Sequence, residues 1–382
     1  MKQVIKKLTI CICIALSMVL VRGSASADNS YVLSDKINLT AECSVLIEAN
    51  SRRILYASNA MSKRAMASTT KIMTALVIIE NCNLDDVVTI PREAQGVEGS
   101  SIYLSAGEKL TVKQLLYGLM LRSGNDAATA LAIHCSGSIE EFARLMNKTA
   151  EKLGLENTNF ANPSGLPNEK HYTTAYELAL IAARAMEYDI FREIVSTKNT
   201  TIPWEGHDCD RLLVNKNKML AQYDGADGIK TGYTMAAGRC LVASATKNGM
   251  TLISVVLNCS PMYADCAKML DYGFENYHME EIVTKNTVYG NMPVKKGFAD
   301  NLDYFAKKTM VFPIKNDDVL SMKINIEMNY IEAPVKKGDV AGYIDVTLNG
   351  EKIDCIELVF ADETKKNTFF SRFLGLIQSN FS

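Results

Sequence analysis

The chain has 382 residues, with 41 basic against 43 acidic, a formal net charge of −2 and a 48% apolar share. Such a composition describes an ordered chain with room for two domains and argues against a disordered or collagen-like one. Without a basic excess to neutralise phosphates, nucleic acid is not an expected partner. The four histidines (His134, His171, His207, His278) include no pair at zinc-ligand spacing, so neither a metal nor another cofactor is expected.

Lys2, Lys6 and Lys7 precede an apolar run at residues 8–21, and Ala25-Ser26-Ala27 follows with small residues. The run is short for a membrane span, and residues 1–27 read as a secretory signal peptide, which makes the protein an exported one. Eight cysteines remain after the signal, scattered and often within apolar runs, with no C-x-x-C. They read as core thiols, a usage suited to life without oxygen, and support neither a redox nor a zinc role.

Strand patterns at 43–49 and 54–57 flank Asn50-Ser51 and predict an opening hairpin. Ile72, Ala75, Leu76 and Ile79, and then Val112, Leu115, Leu116 and Leu119, recur at the spacing of a buried helical face; residues 176–186 continue the pattern. Strand character returns at 240–246 and 251–257 around Asn248-Gly249, a strong hairpin signal. Hairpin, helices, then hairpin predicts one α+β domain, an α/β sandwich over residues 28–279, whose terminal strands share a sheet.

From about residue 280 the composition turns to short Val, Ile, Tyr and Thr runs (309–314, 321–330, 352–360), predicting a small all-β domain at 280–364. Within it Pro-Val-Lys-Lys-Gly occurs twice, at 293–297 and 334–338. Residues 365–382 close the chain with Phe369, Phe370, Phe373, Leu376 and Ile377 beside Lys365, Lys366 and Arg372. As a helix this tail is amphipathic and too short to span a bilayer, so it is expected to lie on a membrane surface.

The chemistry concentrates in three strings. Ser68-Thr69-Thr70-Lys71 stands at the start of a periodic helix, where a three-residue spacing puts the hydroxyl and the amine on one face. A serine becomes a nucleophile when a neighbouring base takes its proton, and a lysine is that base only if burial or another cation lowers its pKa. Helix N-capping is the ordinary role of a serine at such a place. Ser244-Ala245-Thr246-Lys247 repeats the spacing within a strand pattern, where i and i+3 point to opposite faces, and reads as structural. Ser123-Gly124-Asn125 presents a hydroxyl and an amide at a helix junction; Lys230-Thr231-Gly232 precedes a strand, its glycine permitting close approach of a substrate backbone.

In this order the three strings resemble those of the penicillin-recognising serine acyl-transferases, which include class A β-lactamases and penicillin-binding proteins. Residues 67–76, 115–130, 159–178 (with Asn162-Pro163-Ser164-Gly165-Leu166 and His171) and 227–238, with the β-rich module and tail, are similar to a low-molecular-mass penicillin-binding protein, a serine D-Ala-D-Ala carboxypeptidase. That resemblance implies a peptidoglycan stem peptide ending in D-Ala-D-Ala as substrate and β-lactams as acylating ligands. It implies Ser68 as nucleophile, Lys71 as base and Ser123 as proton relay, with Asn125, Lys230, Thr231 and Gly232 at the substrate. It implies an oxyanion hole from the Ser68 N–H and one N–H of the strand. The chain departs from the pattern at Ser260-Pro261-Met262-Tyr263, where relatives often carry an arginine for the terminal carboxylate; Lys216 is a candidate substitute, though a solvated lysine is its commoner reading. Two other functions remain: a β-lactamase, for which Glu156, Glu169 and Glu177 stand in no deacylating Glu-x-Glu-Leu-Asn setting, and an idle cell-wall or sporulation protein, which would need none of the four reactive residues.

Overall fold

A computed structural model of the chain describes residues 37–367. The expected signal peptide and the tail beyond residue 367 lie outside the described residues. In chain order the elements are β1 (Cys43–Glu48), β2 (Ile54–Ser58), a 3₁₀ turn (Ala67–Thr70), α1 (Lys71–Asn81), β3 (Val87–Thr89), β4 (Lys109–Thr111), α2 (Val112–Leu121), α3 (Asn125–Ser136), α4 (Ile139–Lys152), α5 (Ala175–Met186), α6 (Asp189–Ser196), β5 (Asn199–Ile202) and β6 (Arg211–Val214). Then come α7 (Met219–Gln222), β7 (Ala226–Thr234), β8 (Gly238–Lys247), β9 (Met250–Leu257) and α8 (Met262–Asn276). The remaining strands are β10 (Tyr277–Val283), β11 (Val288–Lys295), β12 (Asn301–Ala306), β13 (Met310–Lys315), β14 (Leu320–Asn325), β15 (Ile331–Glu332), β16 (Val340–Leu348) and β17 (Glu351–Phe360).

Five antiparallel strands form the main sheet in the order β2-β1-β9-β8-β7, so the two hairpins do share a sheet, joined where β1 pairs with β9. Side chains alternate across it. Cys240, Val242, Ile253 and Val255 join the helical core of α1 to α6, while Leu241, Ala243, Leu252 and Val256 pack under α8 against Cys266, Met269 and Leu270. Covering both faces explains why β1 and β9 read as nearly continuous apolar runs. It also leaves β7 as an edge strand with one side unpaired.

Helix α1 runs through the middle of the helical layer, buried from Lys71 to Ile78. A helix apolar on nearly all sides belongs in a core, and this one carries a lysine in with it. Helix α2 starts from a capping box between Thr111 and Gln114 and ends at Leu121, immediately before the Ser123 string.

The second body is a six-stranded sheet, β14-β16-β17-β12-β11-β15, with β10 pairing β13 beside it. Strand β10 begins at Tyr277, so the expected cut at 280 falls inside a strand. The strand expected over 321–330 stops at Asn325, where Glu327 and Asn329 interrupt the pattern. Cysteines 43, 240, 259 and 266 are buried thiols, but Cys209 and Cys355 are exposed, Cys209 because it lies in a polar turn.

Arg53, at the start of β2, reaches into the second body. It donates to the Pro313 carbonyl at 2.5 Å and grips Asp318 with both guanidinium nitrogens, at 2.7 and 2.9 Å. Its guanidinium also lies over the Tyr277 and Phe312 rings. Burial pushes the Asp318 carboxyl up, but Arg53, the Lys315 N–H and the Asn349 amide outweigh that and hold it at about 2. With its folded pKa depressed, the carboxylate adds stability at pH values above its ordinary range, and this is lost as pH falls toward 2. Asp318→Asn is therefore expected to cost about 2 kcal/mol at pH 7. In denaturant titrations its gap from the native chain should close near pH 2; a gap independent of pH would show that the ion pair is not its source.

Candidate active site

The nucleophile string is held in a strained bend. Ala67 has φ 49° and Ser123 has φ 64°, both in the left-handed region that non-glycine residues avoid. The bend at Ala67 turns the 3₁₀ segment so that Ser68 stays half-exposed while Thr69, Thr70 and Lys71 point into the core. Thr69 and Thr70 return hydrogen bonds to the carbonyls of Met66 and Ala67. His171 braces the turn from below. Its Nδ1 accepts the Ala161 N–H at 3.0 Å, which puts the ring proton on Nε2, donated to the Thr70 hydroxyl at 2.7 Å. Burial, and then the charge of Lys71, hold His171 down at about 4, so it is neutral at physiological pH.

The Asn-Pro-Ser-Gly-Leu string closes the site on the other side. Asn162 Oδ1 accepts the N–H groups of Ser164, Gly165 and Leu166, forming a tight turn that aims two carbonyls at α1. Thr74 donates to the Pro163 carbonyl and Lys71 to the Ser164 carbonyl. Gly165 admits no side chain, since a Cβ there would lie 1.9 Å from the Ala67 oxygen.

Lys71 Nζ lies 3.1 Å from Ser68 Oγ, 2.7 Å from Asn125 Oδ1 and 2.7 Å from the Ser164 carbonyl. Asn125 is itself fixed, donating to the Glu98 carbonyl at 2.6 Å. Burial first, and then the charges of Lys230 and Lys216, hold the Lys71 pKa well below the usual lysine range, against a small opposing pull from Asp126. Lys230 is likewise buried on β7, donating to the Thr231 carbonyl, and burial and Lys216 bring it down to about 7. The Ser123 hydroxyl is buried without a partner among the described residues, and it lines a 250 Å³ pocket with Ser68, Thr231 and Gly232. Asp126 stands behind the site, accepting from Ser101 Oγ and the Ile102 and Leu104 N–H groups; this fixes the loop that presents Ser100.

The structure thus brings Ser68, Lys71, Ser123, Asn125, Lys230, Thr231 and Gly232 together. Gly232 has a different use from the expected one: the missing Cβ makes room for the nucleophile turn, whose Ser68 nitrogen would lie 3.1 Å from it. Lys216 is exposed, yet its Nζ donates to Ser100 Oγ at 2.9 Å within the same pocket. Arg239 went unread in the sequence. It stands opposite Tyr233 in the β7–β8 register and lines the pocket beside Met262 and Tyr263, where the sequence lacked an arginine. Ser244, by contrast, lies buried in β8, bonded to Asp227. Glu177 is engaged by the Glu156 and Asn157 N–H groups, and the neighbour of Lys71 that a deacylating carboxylate would need to be is the Ser164 carbonyl.

A half-exposed serine beside a desolvated lysine, next to a pocket lined by Lys216 and Arg239, defines a serine acyl-transferase acting on an anionic substrate. Comparison narrows the class. Residues 29–261 match the D-alanyl-D-alanine carboxypeptidase family, and residues 277–366 match the C-terminal domain of penicillin-binding protein 5. The D-alanyl-D-alanine carboxypeptidase DacF of Bacillus subtilis is 35% identical over 97% of this chain and 98% of its own; DacA of Escherichia coli is 32% identical over 90% and 88%. Penicillin binding protein 5 from Haemophilus influenzae superposes with a TM-score of 0.74 at 30% identity, covering 87% of this chain and 100% of that one. The chain belongs to the D-alanyl-D-alanine carboxypeptidase family and is a low-molecular-mass penicillin-binding protein.

Gly165→Ala tests how tightly the turn is set. Displacing the Ala67 carbonyl to admit the methyl group is expected to slow acylation about a hundredfold, since misplacing reacting groups by about 1 Å costs that much. Stopped-flow penicillin labelling measures it; an unchanged rate would show that the turn is free to adjust.

Proposed function

We propose that the protein removes the terminal D-alanine from peptidoglycan stem pentapeptides through an acyl-enzyme on Ser68. The observation that carries this is the Lys71 amine, its pKa lowered by burial and then by the charge of Lys230, 3.1 Å from the Ser68 hydroxyl. Neutral Lys71 takes the Ser68 proton as Oγ attacks the carbonyl between the two D-alanines. The Ser68 N–H and an N–H of β7 stabilise the oxyanion, and Asn125 holds the Lys71 amine in place. The tetrahedral intermediate collapses as the C–N bond breaks, with Ser123 relaying to the departing amine the proton that Lys71 took, which leaves Lys71 neutral again. Water then attacks the ester and gives a proton to Lys71, which passes it to Oγ as the Oγ–C bond breaks. Thr231, Lys216 and Arg239, which line the pocket, receive the substrate carboxylate, with Lys230 buried behind Thr231. The substrate main chain lies along the open edge of β7.

Penicillin enters by the same attack, its carboxylate in the same pocket. A β-lactamase reading would require a base that activates water behind the ester, and that neighbour of Lys71 is a carbonyl. Ser68→Ala is expected to abolish both D-alanine release and penicilloylation, with Ser244→Ala retaining both. Intact-mass spectrometry of the native protein should show a penicilloyl adduct on Ser68 that outlasts a β-lactamase acyl-enzyme by orders of magnitude; an adduct elsewhere, or rapid turnover, would overturn the assignment.

We divide the chain as a signal peptide (1–27), a catalytic domain (28–279), a β-rich domain (280–364) and a membrane-associating tail (365–382), with the enzyme working outside the cytoplasmic membrane. Among the described residues no helix is long and apolar enough to cross a membrane. Deleting residues 367–382 should move the protein from the membrane to the soluble fraction with D-alanine release in solution unchanged; a truncated chain that still sediments with membranes would refute the anchor.

A further inference from the structure

The two helices that begin at the reactive groups leave the active site side by side. Helix α1 starts at Lys71 and α3 at Asn125, and these two residues are bonded at 2.7 Å. From there the helices pack against each other within the helical core, α1 ending at Asn81 and α3 at Ser136. Near-equal lengths bring their far ends level, about 16 Å from Lys71 at 1.5 Å per residue. Cys82, which caps α1, and Cys135, in the last turn of α3, meet there. Their side chains are hydrogen-bonded, thiol to thiol.

The other six cysteines of the described residues have different surroundings. Cys43, Cys240, Cys259 and Cys266 are fully buried, and the Cys259 thiol donates to Asp265; Cys209 and Cys355 are exposed. Cys82 and Cys135 are half-buried, held against the core yet within reach of a small molecule. The Cys82 S–H, donating to the Cys135 sulfur, pulls Cys135 below the ordinary thiol range against the effect of burial, and Ser136 adds a second donor. The same contact, and then burial, push Cys82 up. A pair arranged in this way has one sulfur ready to attack and a second to resolve the product.

We propose that Cys82 and Cys135 are a latent disulfide, which staples the ends of α1 and α3 together when the protein meets a low-molecular-mass disulfide, RSSR. The Cys135 thiolate attacks one sulfur of RSSR, forming a mixed disulfide and releasing RS⁻, which takes up the proton that Cys135 gave up. Cys82 then attacks the Cys135 sulfur, its proton passing to the second RS group as that group leaves. Two cysteine thiols are thereby oxidised to one disulfide, and RSSR is reduced to two RSH. Cys82 has already left the helical conformation (φ −123°, ψ 149°), so the bond can close by movement of that residue while α1 stays in place. The closed loop of about fifty residues contains the Ser123 string and the segment pinned by Asp126, and it restricts the unfolded chain far more than the folded one.

The test treats the full chain with glutathione disulfide, blocks remaining thiols with iodoacetamide and maps the peptides by mass spectrometry. The expected product joins Cys82 to Cys135 with no glutathione on either, while the exposed Cys209 and Cys355 carry glutathione. Finding Cys82 and Cys135 both alkylated, or each carrying its own glutathione, would overturn the proposal. Guanidinium unfolding is then followed by the fluorescence of Trp204, the one tryptophan of the chain. The oxidised protein should show a folded-to-unfolded ratio about a thousandfold above that of the same sample reduced with dithiothreitol. Cys82→Ser and Cys135→Ser should each erase that difference; a difference that persists in them, or a link that forms without raising the ratio, would overturn the staple. The comparison of oxidised with reduced protein needs only the native chain, so a variant that fails to fold leaves it intact. Penicilloylation should run at the same rate in both forms, because Lys71 already meets Asn125 with the thiols reduced. A rate lost on oxidation and regained with dithiothreitol would show that closing the bond drags the helices out of that contact, and would overturn the staple as well.

Discussion

The site depends on burying a lysine at the first position of a helix that has no exposed face where the lysine enters. An ammonium in that position is penalised by lost hydration, and here a second buried lysine on the neighbouring strand adds repulsion. The Asn125 amide oxygen and the Ser164 carbonyl accept the amine's two N–H groups and leave its lone pair toward the Ser68 hydroxyl, and neither carries a negative charge. A carboxylate at any of these places would stabilise the ammonium and remove the base. The polarity of the site is thus set by the supply of neutral acceptors around one amine. The left-handed bend at Ala67, the Asn162 turn and the bracing by His171 hold those acceptors where they are.

The sheet supplies the second constraint. Because β7 is an edge strand while β8 and β9 are enclosed, the substrate can be gripped by main-chain hydrogen bonds on a rigid template. Charge is then distributed unevenly along that edge. Lys216 and Arg239 line the pocket at one end, and a larger cavity, lined by Met66, Ala67 and Thr234, lies at the other.

Much of this was legible in the residues. The periodic positions of α1 and α2 were visible because each buries a wide face, and the β8–β9 hairpin because Asn248-Gly249 suits a tight turn with positive φ at both residues. Ser68 and Lys71 could be paired because their geometry is local, within one turn of helix. What escaped was whatever depends on register between segments. Arg239 reaches the pocket only because β7 and β8 pair Tyr233 with it, and the sequence offers no sign of that before the hairpin is counted residue by residue. The same holds for Gly232 and Gly165, whose lack of a side chain serves contacts with the nucleophile turn from distant parts of the chain. Lys216 looked like an ordinary surface lysine because its exposure is real; only the folded loop shows its amine beside Ser100. Helix α8 buries Met262, Cys266, Met269 and Leu270 at helical spacing, with Asp265 on the same face accepting from the Thr40 and Ala41 N–H groups.

The open edge of β7 bears on how such an enzyme can evolve under antibiotic pressure. A template that reads main-chain amides and a terminal carboxylate discriminates little between a D-alanyl peptide and a drug that presents the same groups. If both use this strand and its cations, as proposed above, substitutions along the edge that repel the drug also repel the substrate. Escape at low cost must come from features that only one of them touches, such as the rate at which water reaches the ester or the walls of the cavity beyond Ala67. The strand itself is held in common by nutrient and poison, and selection has little room to separate them there.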